Sequence, residues 1–281
     1  MPKVSVIIPC YNQGAWIEEA IRSVQAQSYP DYEIIVVNDG STDNATLSVL
    51  NKLEQDDIKV YHTENKGVAA ARNYGVAKCN GAFILPLDAD DWIDKDFLLK
   101  TVPKLEQDGR LELVGTAAQY FGEINGIEIL PDYSPDLQMQ RNLFFNSSLF
   151  RKKSFCAISG FDETFLDGWE DWDFFIRLVA DPAQIQVVKE PLLNYRIKST
   201  SLNADLLDEK KRRAEQQLYR KHLGRYLTFF PEPIQILRDN SFLTEQAKQY
   251  DYYRKQLNNS ASYRLGHFLL SPLKWMRKKK T

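Results

Sequence analysis

The chain has 281 residues, of which 43% are hydrophobic and 26% charged. These proportions match an ordinary globular protein and exclude wholesale disorder. The 13 Gly and 12 Pro rule out collagen-like and low-complexity readings, and a mean hydropathy of −0.43 with no long apolar run rules out a transmembrane bundle. Three cysteines without C-x-x-C spacing and three scattered histidines give no framework for disulfides or structural zinc. The formal charge of −2 conceals an asymmetry: from Arg264 to the end there are six Lys/Arg and no acid. The rest of the chain therefore carries an excess of acid, of about −8, and an acidic body argues against a nucleic-acid partner. The opening Met1–Pro9 is too short an apolar stretch for a signal peptide, which predicts cytoplasmic residence.

Lys3–Pro9 reads as a buried strand. Gly14–Gln27 reads as a helix with Ile17, Ala20, Ile21 and Val24 on one face. A second buried strand at Glu33–Asn38 precedes a helix through Leu47, Leu50 and Leu53. Ile58–His62 and Ala82–Leu87 read as further strands, separated by an Ala-rich helix over Gly67–Ala77. Near-continuous apolar strands alternating with helices predict a mostly parallel sheet covered on both faces, with functional loops at the strands' carboxyl ends. Beyond Asp94 the pattern loosens. Leu111–Leu130 suggests a strand and a hairpin turning at Asn125-Gly126, followed by a short strand at Ser147–Phe150 and a helix at Asp171–Val179. Ile185–Ile197 reads as extended but broken by Pro191. From about Asp205 the chain is helix-like, charged and rich in tyrosine.

Four polar clusters fall at the predicted strand ends: Pro9–Asn12, Asn38–Asp43, Asn65–Asn73 and Asp88–Asp91. Asp39–Asp43 alone is equally well a turn with a helix cap. Asp88, Asp90 and Asp91 repel one another unless a cation, donors or water intervene. A divalent cation bridging to a diphosphate would suit them, as would a solvated loop capping a helix near Asp94. A fifth cluster, Gly160–Glu163 with Gly168–Phe174, sets Glu170 and Asp171 among Trp169, Trp172 and Phe174. Helix-dipole stabilisation explains acids at a helix start, but an aromatic frame also raises a carboxylate toward the pKa of a useful base. Neither a Walker A nor a G-x-G-x-x-G signature is present.

The ordered set VSVIIPCYN, VVNDGSTD, NKGVAAARNYG, LPLDADD and GFDE…GWEDWDF resembles an inverting family 2 glycosyltransferase with the GT-A fold. The resemblance implies an α/β domain with a mostly parallel central sheet flanked by helices, spanning 1–203. Its nucleotide-sugar half is about 1–95 and its acceptor half about 96–203. A helical C-terminal extension, 204–281, follows. Pro9, Tyr11 and Asn12 would line the nucleotide pocket, Asp39 would accept bonds from base or ribose, and Arg72 would face the nucleotide or its phosphates. Asp88 and Asp90 form the Asp-x-Asp element for a divalent cation, Mn²⁺ or Mg²⁺, with Asp90 the direct ligand. Asp171 would be the general base and Glu170 its neighbour and fallback. In many relatives a histidine follows the tyrosine-arginine segment. Here Tyr195-Arg196 leads to Lys198, whose ammonium would meet the diphosphate unless it is merely a solvated surface lysine.

The expected partners are a nucleotide-sugar donor, UDP-linked by preference, and a glycan or lipid-linked glycan acceptor. Ser262–Lys280 combines apolar residues with a basic run. Such a segment suits either an anchor on an anionic membrane's inner face or a solvated basic end. A non-catalytic sugar- or nucleotide-binding module and a nucleotidyltransferase are the competing functional readings, and the oligomeric state is open.

Overall fold

Valine and isoleucine along the first two strands divide between two covered faces. In β1 (Val4–Cys10), Val4, Val6 and Ile8 join one apolar cluster and Ile7 the other. In β2 (Tyr32–Asp39), Ile34 and Val36 oppose Ile35 and Val37 in the same way. Side chains alternate along a strand, so a strand apolar at every position must be covered twice. Helices α1 (Gly14–Gln25), α2 (Asn44–Gln55) and α4 (Phe97–Gln107) cover the first face. Helices α3 (Val68–Lys78), α6 (Lys152–Ala157) and α7 (Glu170–Leu178) cover the second.

The computed structural model describes residues 3–56, 58–198 and 208–232, with isolated positions beyond. Its remaining strands are β3 (Lys59–Thr63), β4 (Phe83–Pro86), β5 (Trp92–Ile93), β6 (Leu113–Gly122), β7 (Gly126–Glu128), β8 (Leu149–Arg151) and β9 (Ile185–Ile197). The remaining helices are α5 (Pro135–Gln140), α8 (Asp208–Lys221) and α9 (Leu223–Phe229). The sheet runs β3-β2-β1-β4-β8-β6-β9-β5, with β7 paired to β6. The amino-terminal half, β3-β2-β1-β4, is wholly parallel. The rest is mixed, because β8 runs antiparallel to both neighbours and β5 antiparallel to β9.

Helix α1 buries the four residues its periodicity marks, Ile17, Ala20, Ile21 and Val24. Pro191 does not break the last strand, contrary to the sequence expectation. Strand β9 passes through it with register shifts opposite Thr116, Ala117 and Ala118, an irregularity that absorbs the missing N–H.

Helix α3 lies close on the sheet because its contact face is small. A methyl group on Gly75 would stand 2.4 Å from Ile7 Cγ2 and 3.2 Å from Val37 Cγ2. The chain divides into two compact units, 1–222 and 223–281. Helix α8, which the sequence assigns to the extension, falls in the first unit. Among the described residues no helix is long and apolar enough to cross a membrane. The tail 262–281, where an anchor is expected, lies outside them.

Candidate active site

Parallel pairing brings the carboxyl ends of β1, β2, β3 and β4 to one edge of the sheet. The first four polar clusters therefore converge there, as the topology of an open α/β sheet requires of a binding site.

On one side of this edge the groups expected to hold a nucleotide brace the loops. Asn12 adopts the left-handed region at φ 54°. Its Oδ1 accepts from the backbone N–H groups of Thr42 (2.8 Å) and Asp43 (3.1 Å), and its Nδ2 reaches Thr42 Oγ1 at 3.2 Å. Asp43 in turn caps α2, accepting from the Thr46 N–H at 2.7 Å. Asp39 is buried, and its two oxygens accept from the N–H groups of Lys66 and Gly67, each at 2.9 Å. Gly67 has φ 92°, a conformation that only glycine adopts freely. Tyr11 is 46% exposed and open to stack on a planar ligand, whereas Pro9 is buried within β1.

One turn into α3, Arg72 links two acidic groups far apart in sequence. Its Nη1 donates to Glu170 Oε1 at 2.7 Å and its Nη2 to Asp88 Oδ1 at 2.8 Å. Only 3% of Arg72 is exposed. Burial opposes its charge, but Asp88 and Glu170 outweigh that and hold its pKa above the ordinary value. Arg72, which the resemblance sets toward the nucleotide or its phosphates, fastens the Asp-x-Asp element to the start of α7.

Asp171 follows Glu170 in the first turn of α7. Its Oδ1 accepts from the Trp172 N–H at 2.7 Å and its Oδ2 from Asn142 Nδ2 at 2.9 Å. Burial and the adjacent Glu170 carboxylate push its pKa up to about 7, although Arg72 and the Trp172 N–H pull the other way. The two acids thus differ in availability. Glu170 is buried and neutralised by Arg72, while Asp171 is half-buried and poised to exchange a proton near neutral pH.

Asp90 and Asp91 face the end of β9. Lys198 Nζ lies 2.5 Å from Asp90 Oδ2 and 5.7 Å from the Trp16 ring. The backbone N–H of Arg196 donates to Asp91 Oδ1 at 2.8 Å, and its Nε to the Asp90 carbonyl at 2.9 Å. The Arg196 guanidinium stacks between Trp16 and Phe121, at 4.2 and 4.4 Å. Asp91 is buried, so desolvation, with Asp88 and Asp90 behind it, raises its pKa well above the carboxylate range. Asp88 Oδ1 is committed to Arg72 and Asn146, and Asp90 Oδ2 to Lys198. Among the described residues this leaves Asp88 Oδ2 and Asp90 Oδ1 open. Among the described residues no three His, Cys, Asp or Glu side chains converge there as a metal set. Two carboxylates nevertheless meet the usual protein share of a Mg²⁺- or Mn²⁺-nucleotide site, where phosphate and water supply the rest.

Two participants carry no readable signal in the sequence. Asn142 and Asn146, from the segment before β8, donate to Asp171 and Asp88, respectively. Asn146 Oδ1, Arg72 Nε and Trp169 Nε1 are buried without a partner among the described residues. Tyr195 packs against Tyr120 and Phe145, with ring centroids 5.8 and 5.7 Å apart. Burial and the surrounding Asp91, Asp88, Asp171 and Asp90 charges raise its phenol pKa. The first four motifs and the acidic helix start were visible as clusters. The asparagines lie in an aromatic loop with no periodicity, and only the tertiary fold brings them to the carboxylates.

The sequence profile described as "Glycosyl transferase family 2" matches residues 5–161, more than half of the chain. EpsH of Bacillus subtilis is 27% identical over 272 residues, covering 90% of this chain and 74% of its own. Several other curated relatives are matched over 16% of their own length or less. Among solved structures, S. aureus TarS in complex with UDP superposes with a TM-score of 0.60 at 22% identity, covering 80% of this chain and 73% of that one. A mannosyltransferase from Pyrobaculum calidifontis in complex with GDP-Man and Mn²⁺ gives a TM-score of 0.59 at 18% identity, covering 96% of this chain and 84% of that one. Both likenesses concern the fold, a curled mixed sheet flanked by helices. With the profile match, they establish that this chain is a glycosyltransferase of family 2 with the GT-A fold.

Proposed function

We propose that the protein transfers a sugar from a nucleotide-sugar donor, UDP-linked by preference, to a hydroxyl of a glycan or lipid-linked glycan, with inversion at the anomeric carbon. The observation that carries this reading is Asp171: a carboxylate with its pKa at about 7, held by Asn142 and the Trp172 N–H beside a separate Asp-x-Asp group. A single in-line displacement needs one base to take the acceptor's proton as its oxygen attacks C1. Asp171 is suited to that role because its proton affinity matches neutral pH, whereas Glu170 is engaged by Arg72 at 2.7 Å.

Donor binding falls to the other side of the edge, with Tyr11 for the base, Asp39 and Asn12 shaping its loops, and Lys198 toward the diphosphate. Asp88 and Asp90 would hold the divalent cation, whose charge would stabilise the departing nucleoside diphosphate. Complexes of TarS with UDP-GlcNAc and of the mannosyltransferase with GDP-Man and Mn²⁺ support a nucleotide-sugar donor. The domain reading, 1–203 followed by an extension, belongs to this proposal, as does inner-face membrane attachment through 262–281. A binding module has no need of Asp171, which gives the test. In Asp171→Asn, release of nucleoside diphosphate from the donor is lost while donor-induced thermal stabilisation persists. Retained release would overturn the assignment.

A further inference from the structure

The segment from Phe161 to Trp169 enters the catalytic helix α7 through an irregular path. Gly160 at φ 70° opens it, and Gly168 at φ 100° with Trp169 at φ 67° closes it. Trp169 immediately precedes α7, and it makes no side-chain cap for that helix. A left-handed non-glycine residue persists only where its surroundings over-determine it, so something must hold this segment.

Two helices do so. From α3, the residue after Arg72 binds the segment's start: Asn73 Oδ1 accepts from the Phe161 N–H, and Asn73 Nδ2 donates to the Phe161 carbonyl and to Glu163 Oε1, each at 2.9 Å. From α8, three side chains at four-residue spacing, hence on one helix face, reach it in succession. Arg213 Nε donates to Asp167 Oδ2 at 2.8 Å, Gln217 Nε2 to Thr164 Oγ1 at 3.0 Å, and Lys221 Nζ pairs with Asp162 Oδ2 at 2.5 Å. Lys221 and His222 Nε2 also meet Asp173 Oδ1, each at 2.8 Å, inside α7 itself. Ala214 and Leu218, one position further along, are buried, so α8 is seated by an apolar stripe beside its polar one. The segment also passes near the donor side of the edge, since Leu166 is the neighbour a side chain on Gly67 would meet.

We propose that α8 is a positioning element of the active site, in which Arg213, Gln217 and Lys221 hold residues 162–167 so that Glu170 and Asp171 are presented to Arg72 and Asn142. The family profile ends at residue 161, so this clamp and the acids it serves both lie beyond the matched region. The inference rests on the reading of Asp171 as base only for its kinetic consequence. Its structural consequence stands apart.

The test uses the full chain carrying Arg213→Ala and Gln217→Ala together. Both residues lie toward the surface, and the change leaves the buried Asp173 with Lys221, His222 and Arg177. Hydrogen exchange of peptides covering 162–175 is read together with the pH profile of nucleoside diphosphate release. The expected result is at least fivefold faster exchange confined to that region, a roughly tenfold fall in kcat, and an acid limb moved below that of the unaltered chain as Asp171 gains solvent. Arg213→Lys alone recovers most of the exchange protection. Unchanged exchange in the folded double variant overturns the clamp. Faster exchange with kcat and profile unchanged overturns its positioning role. Retained release in Asp171→Asn refutes the base reading instead, and leaves the exchange result to decide the clamp.

Discussion

Arg72 donates to Glu170 at 2.7 Å across 98 residues of chain. The bond joins α3, which follows the Lys66-Gly67 turn held by Asp39, to the helix that begins with the acidic pair. Both groups are buried, so their mutual neutralisation is a structural requirement as much as a functional one.

Removing Arg72 leaves Glu170 buried without its cation and Asp88 without its nearer donor. Arg72→Ala is expected to lower unfolding free energy by about 3–5 kcal/mol. Arg72→Lys should recover only part of that loss, because a lysine offers one nitrogen in place of the planar fork whose Nη1 and Nη2 reach Glu170 and Asp88 separately. Urea denaturation of the two variants checks this. A loss below about 1 kcal/mol for Arg72→Ala would show that the bridge contributes little.

The pKa of Asp171 has a kinetic and a thermodynamic consequence. Release of nucleoside diphosphate should rise with pH through about 7, the range in which Asp171 becomes ionised. For stability the sign is reversed. A carboxyl whose folded pKa lies above its unfolded value of 3.8 weakens the fold as pH rises between the two. Asp171→Asn should therefore raise Tm progressively from about pH 4 to about pH 7 and by a constant amount above that. A Tm difference independent of pH would place the Asp171 pKa in the ordinary range.

Lys198 occupies Asp90 Oδ2, an oxygen that a cation would otherwise approach. Lys198→Ala should weaken donor binding at least fivefold in chelator, with much of the loss recovered by Mn²⁺ as Asp90 becomes free. Calorimetric titration with a UDP-sugar measures both values. Equal affinity in chelator for the two proteins would remove Lys198 from the diphosphate.

Gly75 shows how close packing supports the site at a distance. Gly75→Ala should destabilise by about 1–3 kcal/mol, since the new methyl group meets Ile7 and Val37 in the sheet. The shift of α3 would also carry Arg72 and Asn73 with it. Thermal unfolding reads the first effect, and an unchanged Tm would mean that α3 moves freely.

Legibility in the sequence followed locality. The period of α1, the doubly apolar β1 and β2, and the four strand-end clusters are local patterns, and the structure reproduces them. In the mixed half of the sheet the hairpin near Asn125-Gly126 and the short strand at Ser147–Phe150 were legible, as β7 and β8, but β5, of two residues, was not. A strand of two residues gains its identity from pairing, here with β9, rather than from pattern. Pro191 misled for a related reason, since a shift in pairing register accommodates it. In the site, Asp88, Asp90, Glu170 and Asp171 were marked as acidic clusters. That Arg72 would join two of them, and that Asn142 and Asn146 would attend two of them, depends on contacts 16 to 98 residues apart in sequence.

The most direct measurement is thermal unfolding of the full chain with UDP-, dTDP- and GDP-sugars, each with Mn²⁺, Mg²⁺ or chelator. A ligand at about a hundred times its Kd adds about 2.7 kcal/mol to a native state that binds it, which for a domain of this size is roughly 5–10 °C in Tm. A shift of that order is expected with a UDP-sugar, larger with cation than with chelator. No shift with any nucleotide-sugar, under any of the three conditions, would contradict the proposed function.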